Sequence, residues 1–452
     1  MPRAVKPIDD ILREPITVAV LGSGGREHAL ATKIAESPLC KKVIVLPGND
    51  GMVYHASKIS IKKEDVFDFN ALGETLKKLK IDLVVVGPDD LLAAGVVDAL
   101  TEMGLTVFGP TKAAARIEWS KTFGKEMMRL ADVQTADFMP VTADDVKRLD
   151  AVAKELGGFP IVLKYDGLAL GKGVRICADE NDAVRFLKEV FEDKVFAKSA
   201  SKSGPAAPHV VAERFLQGHE VSLFALTDGE NYVALEPACD HKRLLDGNMG
   251  PNTGGMGAYS PVPWLTRDHF EDMAKVVFRP LLAQLKEAGT PFKGLLYAGL
   301  MVQGRDSWVI EFNARFGDPE TQALLPRLES DLLPLLWGVA TDSFERHLIV
   351  APLRWSSRAC VNIVAASRGY PQKPETGFEI EGLDAIGDAR LFFSGVKSDN
   401  GRFLTSGGRV LSVSCLEESL AEAAAAAQAA IRKVRFEGMQ FRKDVGRLAS
   451  QY

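Results

Sequence analysis

The sequence predicts an α/β protein in three parts: a Rossmann-like parallel sheet first, a larger mixed α/β middle, and a small β-rich region at the carboxyl end. Three observations predict it. β-Branched strands alternate with helical spacing up to about residue 110. A glycine-rich run with two lysines follows an apolar strand in the middle, and a later strand ends in acidic, amide and guanidinium side chains.

Residues 16–21 are a β-branched apolar run leading into Gly22-Ser23-Gly24-Gly25, after which His28, Ala29, Leu30, Ile34 and Ala35 continue at helical spacing. Residues 43–46, 83–86 and 106–108 read as the next strands. Strands alternating with helices make a parallel sheet, whose ligands sit at the carboxyl ends of the strands. That brings residues 22–28, 47–52 and 87–92 to one edge. A dinucleotide fingerprint needs a third glycine for close helix–strand packing. Arg26 and Glu27 stand there instead, so a Rossmann-like shape without NAD is expected.

Gly109-Pro110-Thr111 ends this pattern, and a helix with Ser120, Lys121 and Lys125 opens the middle region. The run Lys164-Tyr165-Asp166-Gly167-Leu168-Ala169-Leu170-Gly171-Lys172-Gly173-Val174 lets backbone amides approach an anion while its lysines supply charge. Alone, Gly171 to Gly173 reads equally well as a tight turn. Its pairing with Val309-Ile310-Glu311-Phe312-Asn313-Ala314-Arg315 favours a lid over nucleotide phosphates, because magnesium on phosphate takes few protein ligands, all oxygen. Glu311 in that apolar strand needs a cation to offset its burial. No stretch has the spacing of a Walker P-loop. The last part carries strand-like residues 359–365 and 410–413 and an Ala-rich helix over 420–434.

At 452 residues the chain holds several cores. Its 46% apolar and 25% charged composition is that of a soluble globular protein, and the net charge of −5 argues against a nucleic-acid-binding face. Cys40, Cys177, Cys239, Cys360 and Cys415 lack zinc spacing and read as reduced thiols. Residues 1–15 mix both charge signs and resemble neither a secretory nor a transit signal, so they are expected to be an extension. Residues 332–340 are too short to cross a bilayer and include Pro334. A cytoplasmic protein without nucleic-acid or membrane partners is expected.

Gly24-Gly25-Arg26-Glu27-His28, the run 164–174, Asp240-His241-Lys242-Arg243, the glycine-rich run 250–261 and the run from Glu311 to Gln322 together resemble one family. It is the phosphoribosylamine–glycine ligases, the glycinamide ribonucleotide synthetases of purine biosynthesis, within the ATP-grasp superfamily. The resemblance covers essentially the whole chain after residue 15. It implies a Rossmann-like acceptor-binding domain at 16–117, an ATP-grasp core at 118–350 with a mobile lid at about 123–195, and a carboxyl-terminal domain at 351–452. The activity it implies is ATP-dependent joining of glycine to 5-phosphoribosylamine through glycyl phosphate.

By the same resemblance Lys121, Lys164 and Lys172 touch the ATP phosphates, Glu213 and the backbone of Leu216 read adenine, and Glu220 holds the ATP ribose. Glu311 and Asn313 hold magnesium or manganese. Arg315 steadies the acyl phosphate, with Lys164 and Asp240 as further catalytic groups. Gly24, Gly25, Arg26, Glu27, His28, Gly48, Asn49 and Asp89 are implied for phosphoribosylamine. Lys242, Asn252, Thr253, Gly254, Gly255 and Met256 are implied for the glycine site. A monomer or weak homodimer is expected.

Several family positions differ. Gly-Asn-Ala-Gly-Thr is Gly48-Asn49-Asp50-Gly51-Met52 here, Gly-Pro-Glu-Ala-Pro-Leu is Gly87-Pro88-Asp89-Asp90-Leu91-Leu92, and Phe-His-Ala-Gly-Thr is Phe392-Phe393-Ser394-Gly395-Val396. Cys239 replaces a glutamine. Asp50 beside a phosphate would repel it unless the side chain points away. Most changes fall where the family binds phosphoribosylamine, which leaves room for a paralogue joining glycine to another amine. A non-catalytic nucleotide-binding module is a further reading, opposed by the intact lysines and Glu311.

Overall fold

Five parallel strands form the first sheet, in the order Ile59–Ile61, Cys40–Pro47, Ile16–Gly22, Leu83–Val86, Val107–Phe108. The computed structural model describes residues 12, 14–54, 57–168, 173–193, 195, 209–350 and 353–447. Side chains alternate across each strand. Val18, Val20, Val43, Val45, Leu83 and Val85 therefore enter one hydrophobic core, and Ala19, Leu21, Ile44, Leu46, Val84 and Val86 another. Burial on both faces explains why these strands read as continuous apolar runs. Ile59–Ile61 is too short to show a period, and the sequence reading did not name it.

The second sheet is antiparallel, in the order Phe138–Val141, Val210–Arg214, Ile161–Tyr165, Val174–Cys177. Helices Leu149–Glu155 and Glu180–Phe191 back it with a separate core that includes Leu149, Val152, Phe186 and Leu187. A layer with its own core can open as one cooperative unit. Its limits differ from the expected 123–195. Helix Lys121–Leu130 buries Met127 and Met128 in the main core, and strand Val210–Arg214 lies beyond residue 195.

The third sheet has eight strands: Asp306–Asn313, Gly294–Gln303, His219–Thr227, Tyr232–Asp240, Gly257–Ser260, Ala359–Ala366, Arg409–Glu417, Arg390–Phe393. The β-rich carboxyl end thus extends the central sheet. The splice is Gly257–Ser260, which closes the glycine-rich run and pairs Tyr259 with Cys239 on one side and Val361 on the other. Helix Leu420–Ile431 packs on Ala359–Ala366 and Arg409–Glu417. Among the described residues no helix is long and apolar enough to cross a membrane.

Candidate active site

One cleft of about 1130 Å³ lies where the three sheets meet, large enough for a nucleotide and further substrates together. Ser23, Gly24, Arg26, Glu27 and Asp89 enter it from the parallel sheet, and Lys164, Gly173, Glu213 and Leu216 from the second sheet and its exit. The central sheet contributes Glu220, Asp240, Lys242, Glu311 and Asn313, joined by Lys121, Arg315, Asn252, Thr253 and Gly254. Lys172 lies outside the described residues.

Lys164 is buried on Ile161–Tyr165, an inner strand of the second sheet, yet its ammonium donates to the carbonyl of Ile310 at 2.8 Å. It therefore sits one residue from Glu311 across the cleft. Its other partner is Glu213 Oε1 at 2.9 Å, and Lys125 holds Glu213 Oε2 at 3.0 Å. The Glu213 carboxylate is thus committed to two lysines and fixes Lys164, so adenine would have to be read there by backbone. Lys125 also donates to Thr135 Oγ1 at 2.7 Å, and burial lowers its ammonium to about 8.

Strand Asp306–Asn313 delivers Glu311 and Asn313, and Arg315 follows it. Arg315 pairs with Glu118 Oε1 at 2.9 Å and donates to Asn313 Oδ1 at 3.2 Å. Among the described residues no hydrogen-bond partner reaches its buried Nε, which leaves a donor for an anion. Glu118, at the end of helix Lys112–Trp119, also accepts from Ala314 N–H at 2.7 Å, while the carbonyl of Glu118 accepts from Lys121 Nζ at 2.8 Å. One residue anchors two cations. The sequence signal was available: a carboxylate on a buried helix face requires a charged partner.

Lys242 stands among carboxylates, 2.9 Å from Glu220 Oε2 and 3.7 Å from Glu311 Oε1. Burial opposes its charge, but Glu220, Asp240 and Glu311 raise it well above an ordinary lysine. Burial would raise Glu311 too, yet Lys242, Lys121, Lys164 and Arg315 outweigh it and hold the carboxyl at about 2. Asp240 goes the other way: burial raises it to about 8 against the pull of Lys242, with Glu320, Glu220 and Glu311 adding to the rise. Two adjacent oxygen donors beside several cations suit a magnesium ion that takes its remaining ligands from phosphate and water. Among the described residues no cluster of three or more His, Cys, Asp or Glu side chains forms a self-contained metal cage.

On the acceptor side, Glu27 fills the space a third glycine would have left. Its Oε2 accepts from Gly24 N–H at 2.7 Å and its Oε1 pairs with Arg26 Nε at 2.5 Å. A Cβ on Gly87 would lie 2.2 Å from Glu27 Oε1, so glycine is required beside it.

Six residues expected at the substrate do not form the cleft wall. His28 is buried and its Nδ1 accepts from Phe393 N–H at 2.9 Å, while its ring stacks on Phe393. The Asn49 amide donates to the carbonyls of Ser23 and Phe393 at 2.8 and 3.1 Å, tying loops together. Gly25 packs on Gln322 and Ser394, Gly48 on Ile61 and Gly255 on Pro319, and Met256 is fully buried. These residues shape the loops that present Ser23, Gly24 and Thr253.

The sequence reading missed the carboxyl-terminal contributors. Arg409 pairs with Asp318 Oδ2 at 3.0 Å and donates to the carbonyl of Gly254 at 2.6 Å, and Gly254 N–H donates to Tyr370 at 2.9 Å. Glu320, within the quoted motif but given no role, accepts from Tyr297 at 2.7 Å.

Models of phosphoribosylglycinamide synthetase match in three pieces: the N domain over residues 16–118, the ATP-grasp (A) domain over 119–321 and the C domain over 360–448. The chain belongs to this family. It is 42% identical over 438 residues to the phosphoribosylamine–glycine ligase of Streptomyces coelicolor, covering 96% of this chain and 99% of that one. To the Rhodopirellula baltica enzyme of the same name it is 40% identical over 434 residues, covering 95% and 96%. The crystal structure of phosphoribosylamine–glycine ligase from Thermotoga maritima superposes with a TM-score of 0.78 at 32% identity, over 95% of this chain and 100% of that one. A biotin carboxylase from Campylobacter jejuni, at 15% identity, has a TM-score of 0.71 over 97% of this chain and 95% of its own, and shares the fold alone. As a phosphoribosylglycinamide synthetase, the chain carries the ATP-grasp architecture expected from its motifs.

Proposed function

We propose that this chain joins glycine to 5-phosphoribosylamine at the expense of ATP, releasing glycinamide ribonucleotide, ADP and phosphate in purine biosynthesis. The single observation that carries the reading is the convergence of Lys121, Lys164, Lys242 and Arg315 with Glu311 and Asn313 in one cleft, in a chain of this family. It acts as a cytoplasmic enzyme on small molecules, a monomer or weak homodimer.

Lys164, fixed by Glu213 and the Ile310 carbonyl, and Lys121, fixed by the Glu118 carbonyl, meet the triphosphate. Their charge lowers the repulsion between phosphate and the incoming glycine carboxylate. Glu311 and Asn313 would hold magnesium or manganese, which supplies charge neutralisation and alignment of the phosphates when bound. Arg315 offers its free Nε to the phosphoryl group as the glycine carboxylate attacks it. Closure of the second sheet excludes water that would otherwise hydrolyse glycyl phosphate. The amine of phosphoribosylamine, presented from the Ser23 to Glu27 loop and Asp89, then attacks the acyl carbon. Asp240, in its ionised form beside Lys242, is the cleft carboxylate that takes the proton the amine sheds.

The test supplies ATP and glycine with a panel of amines and follows phosphate release. Phosphoribosylamine should drive it. Turnover with a different amine and none with phosphoribosylamine would assign a paralogous ligase. Failure to trap glycine hydroxamate from glycine, ATP and hydroxylamine would leave only a nucleotide-binding module.

A further inference from the structure

Arg442 is fully buried, the first among the largest side chains so enclosed, although it lies far along the chain from every residue of the cleft. Its guanidinium donates to Asp444 through Nε and NH2, at 2.7 Å each. The remaining NH1 reaches the segment just before the glycine-rich run, donating to Asn248 Oδ1 at 2.9 Å and to the carbonyl of Arg243 at 3.1 Å. Asp444 Oδ2 also accepts from Gly247 N–H at 2.8 Å, and Lys443 N–H donates to Asp246 at 2.7 Å. Next to them Val445 is fully buried against Gly257, where an added Cβ would come within 2.9 Å of it. Gly446 N–H donates to His241 Nε2 at 3.4 Å, and burial keeps that ring neutral, able to accept.

The contacts of Arg442, Lys443 and Asp444 grip one element. The hairpin of Arg243–Leu245 and Met249–Asn252 sits between Lys242 and Thr253, both of which line the cleft. Thr253 in turn binds the Lys242 carbonyl through its N–H at 2.8 Å and its hydroxyl at 2.9 Å. The hairpin tip is otherwise exposed, with Leu245 at 50% and Met249 at 64%. A two-stranded hairpin without a packed face is marginal by itself. Its order must come from what holds its turn.

We propose that residues 442–446 form a latch in which the buried Arg442–Asp444 pair positions the 243–252 hairpin, and through it Lys242, Asn252 and Thr253, for the amino-acid substrate. Arg442 and Asp444 are positioning residues and touch no substrate. The substrate assignment rests on the function proposed above; the latch itself does not.

The experiment uses the full chain with Arg442→Lys and, separately, Asp444→Asn, which keeps the shape and removes the charge. Hydrogen exchange without substrates should be about tenfold faster in peptides covering 243–252, with the five-stranded parallel sheet unchanged. Steady-state kinetics should give a KM for glycine raised about tenfold and a KM for ATP within about twofold of wild type. Asp246→Ala, which removes only the acceptor that the exposed hairpin turn offers to Lys443 N–H, serves if either variant fails to fold. Unchanged exchange at 243–252, exchange raised equally everywhere, or faster hairpin exchange with an unaltered glycine KM would each overturn the latch. Should wild-type protein show no glycine-dependent turnover, the functional reading fails while the exchange data still decide the latch.

Discussion

Glu213→Gln is the substitution that most directly probes how the ATP site is held. In the wild-type protein one buried carboxylate lies 2.9 Å from Lys164 and 3.0 Å from Lys125, with all three side chains at most 3% exposed. At an effective dielectric near 20, each pair carries about 5–6 kcal/mol of gross attraction, most of which offsets the burial of the charges. An amide in its place keeps one acceptor but turns an N–H2 donor toward an ammonium and leaves two neighbouring cations facing each other. The expected local cost is about 3–5 kcal/mol. Native-state hydrogen exchange reads this directly: amides of Ile161–Tyr165 and Val210–Arg214 should exchange roughly a hundredfold faster or more. The KM for ATP should rise, because Lys164 is no longer held at the Ile310 carbonyl. Adding Lys125→Met restores the original net charge and should recover much of the protection. Exchange within about threefold of wild type, or a double variant worse than the sum of its parts, would refute the ion triad as the anchor.

Other perturbations separate ligands, protonation and drift. Glu311→Ala removes an oxygen donor whose carboxyl is held at about 2 by four cations; ADP release at saturating magnesium should fall roughly a hundredfold or more, and a tenth of wild-type activity would exclude the ligand role. His28 is buried neutral with its affinity for protons lowered to about 4 from 6.5, so the unfolded chain binds the extra proton between those values. Stability from this site is complete above pH 6.5 and declines by about 3 kcal/mol as pH falls toward 4. His28→Asn, whose side-chain oxygen can accept the Phe393 N–H, should flatten the fall of the urea midpoint across that window; an identical pH profile would remove His28 as the cause. Asp50→Ala loses the Ser398 N–H at 2.8 Å and a half-exposed Lys63 pair, costing about 1 kcal/mol. The KM for phosphoribosylamine should stay within about twofold, and a tenfold change would return Asp50 to the substrate.

What could be read from sequence was local. The parallel strands announced themselves because burial on both faces demands unbroken apolar runs, and Glu311 because a carboxylate in such a run needs a cation. Lys164 and Glu311 belong to different sheets, and the glycine-rich run read as more than a tight turn only when set beside the strand that carries Glu311. The carboxyl-terminal contributors were not. Arg409 is 155 residues from Gly254 and Arg442 is 199 from Arg243, and no period or spacing connects them. His28 failed for a different reason. Motif membership placed it at the ligand, whereas its position on helix Gly25–Ala35 turns it under Phe393 into the core.

The altered family positions bear on the acceptor through where they lie. Asp50 points to Ser398 N–H and Lys63, Met52 is fully buried, and Phe393 lies over Gly51, where a Cβ would come within 2.3 Å of its ring. Phe393 also stacks on His28 and meets Tyr54 and Phe403 edge-on or tilted. Three of the departures are therefore one packing unit joining the Asn49 loop to the carboxyl-terminal hairpin Val396–Asp399 and Arg402–Thr405. Volume and charge changed together there, and none of the three lines the cleft. Asp89, Asp90, Leu91 and Cys239 do line it. A shorter acid at 89 must reach farther to a hydroxyl, and the Cys239 thiol, which donates to the Glu220 carbonyl at 3.3 Å, cannot offer the two-way hydrogen bonding of glutamine. Any change in acceptor preference should accordingly follow reversion of the cleft-lining departures, Asp89→Glu, Asp90→Ala, Leu91→Pro and Cys239→Gln, while reverting Asp50, Met52 and Phe393 together should alter stability and leave the choice of amine as it was.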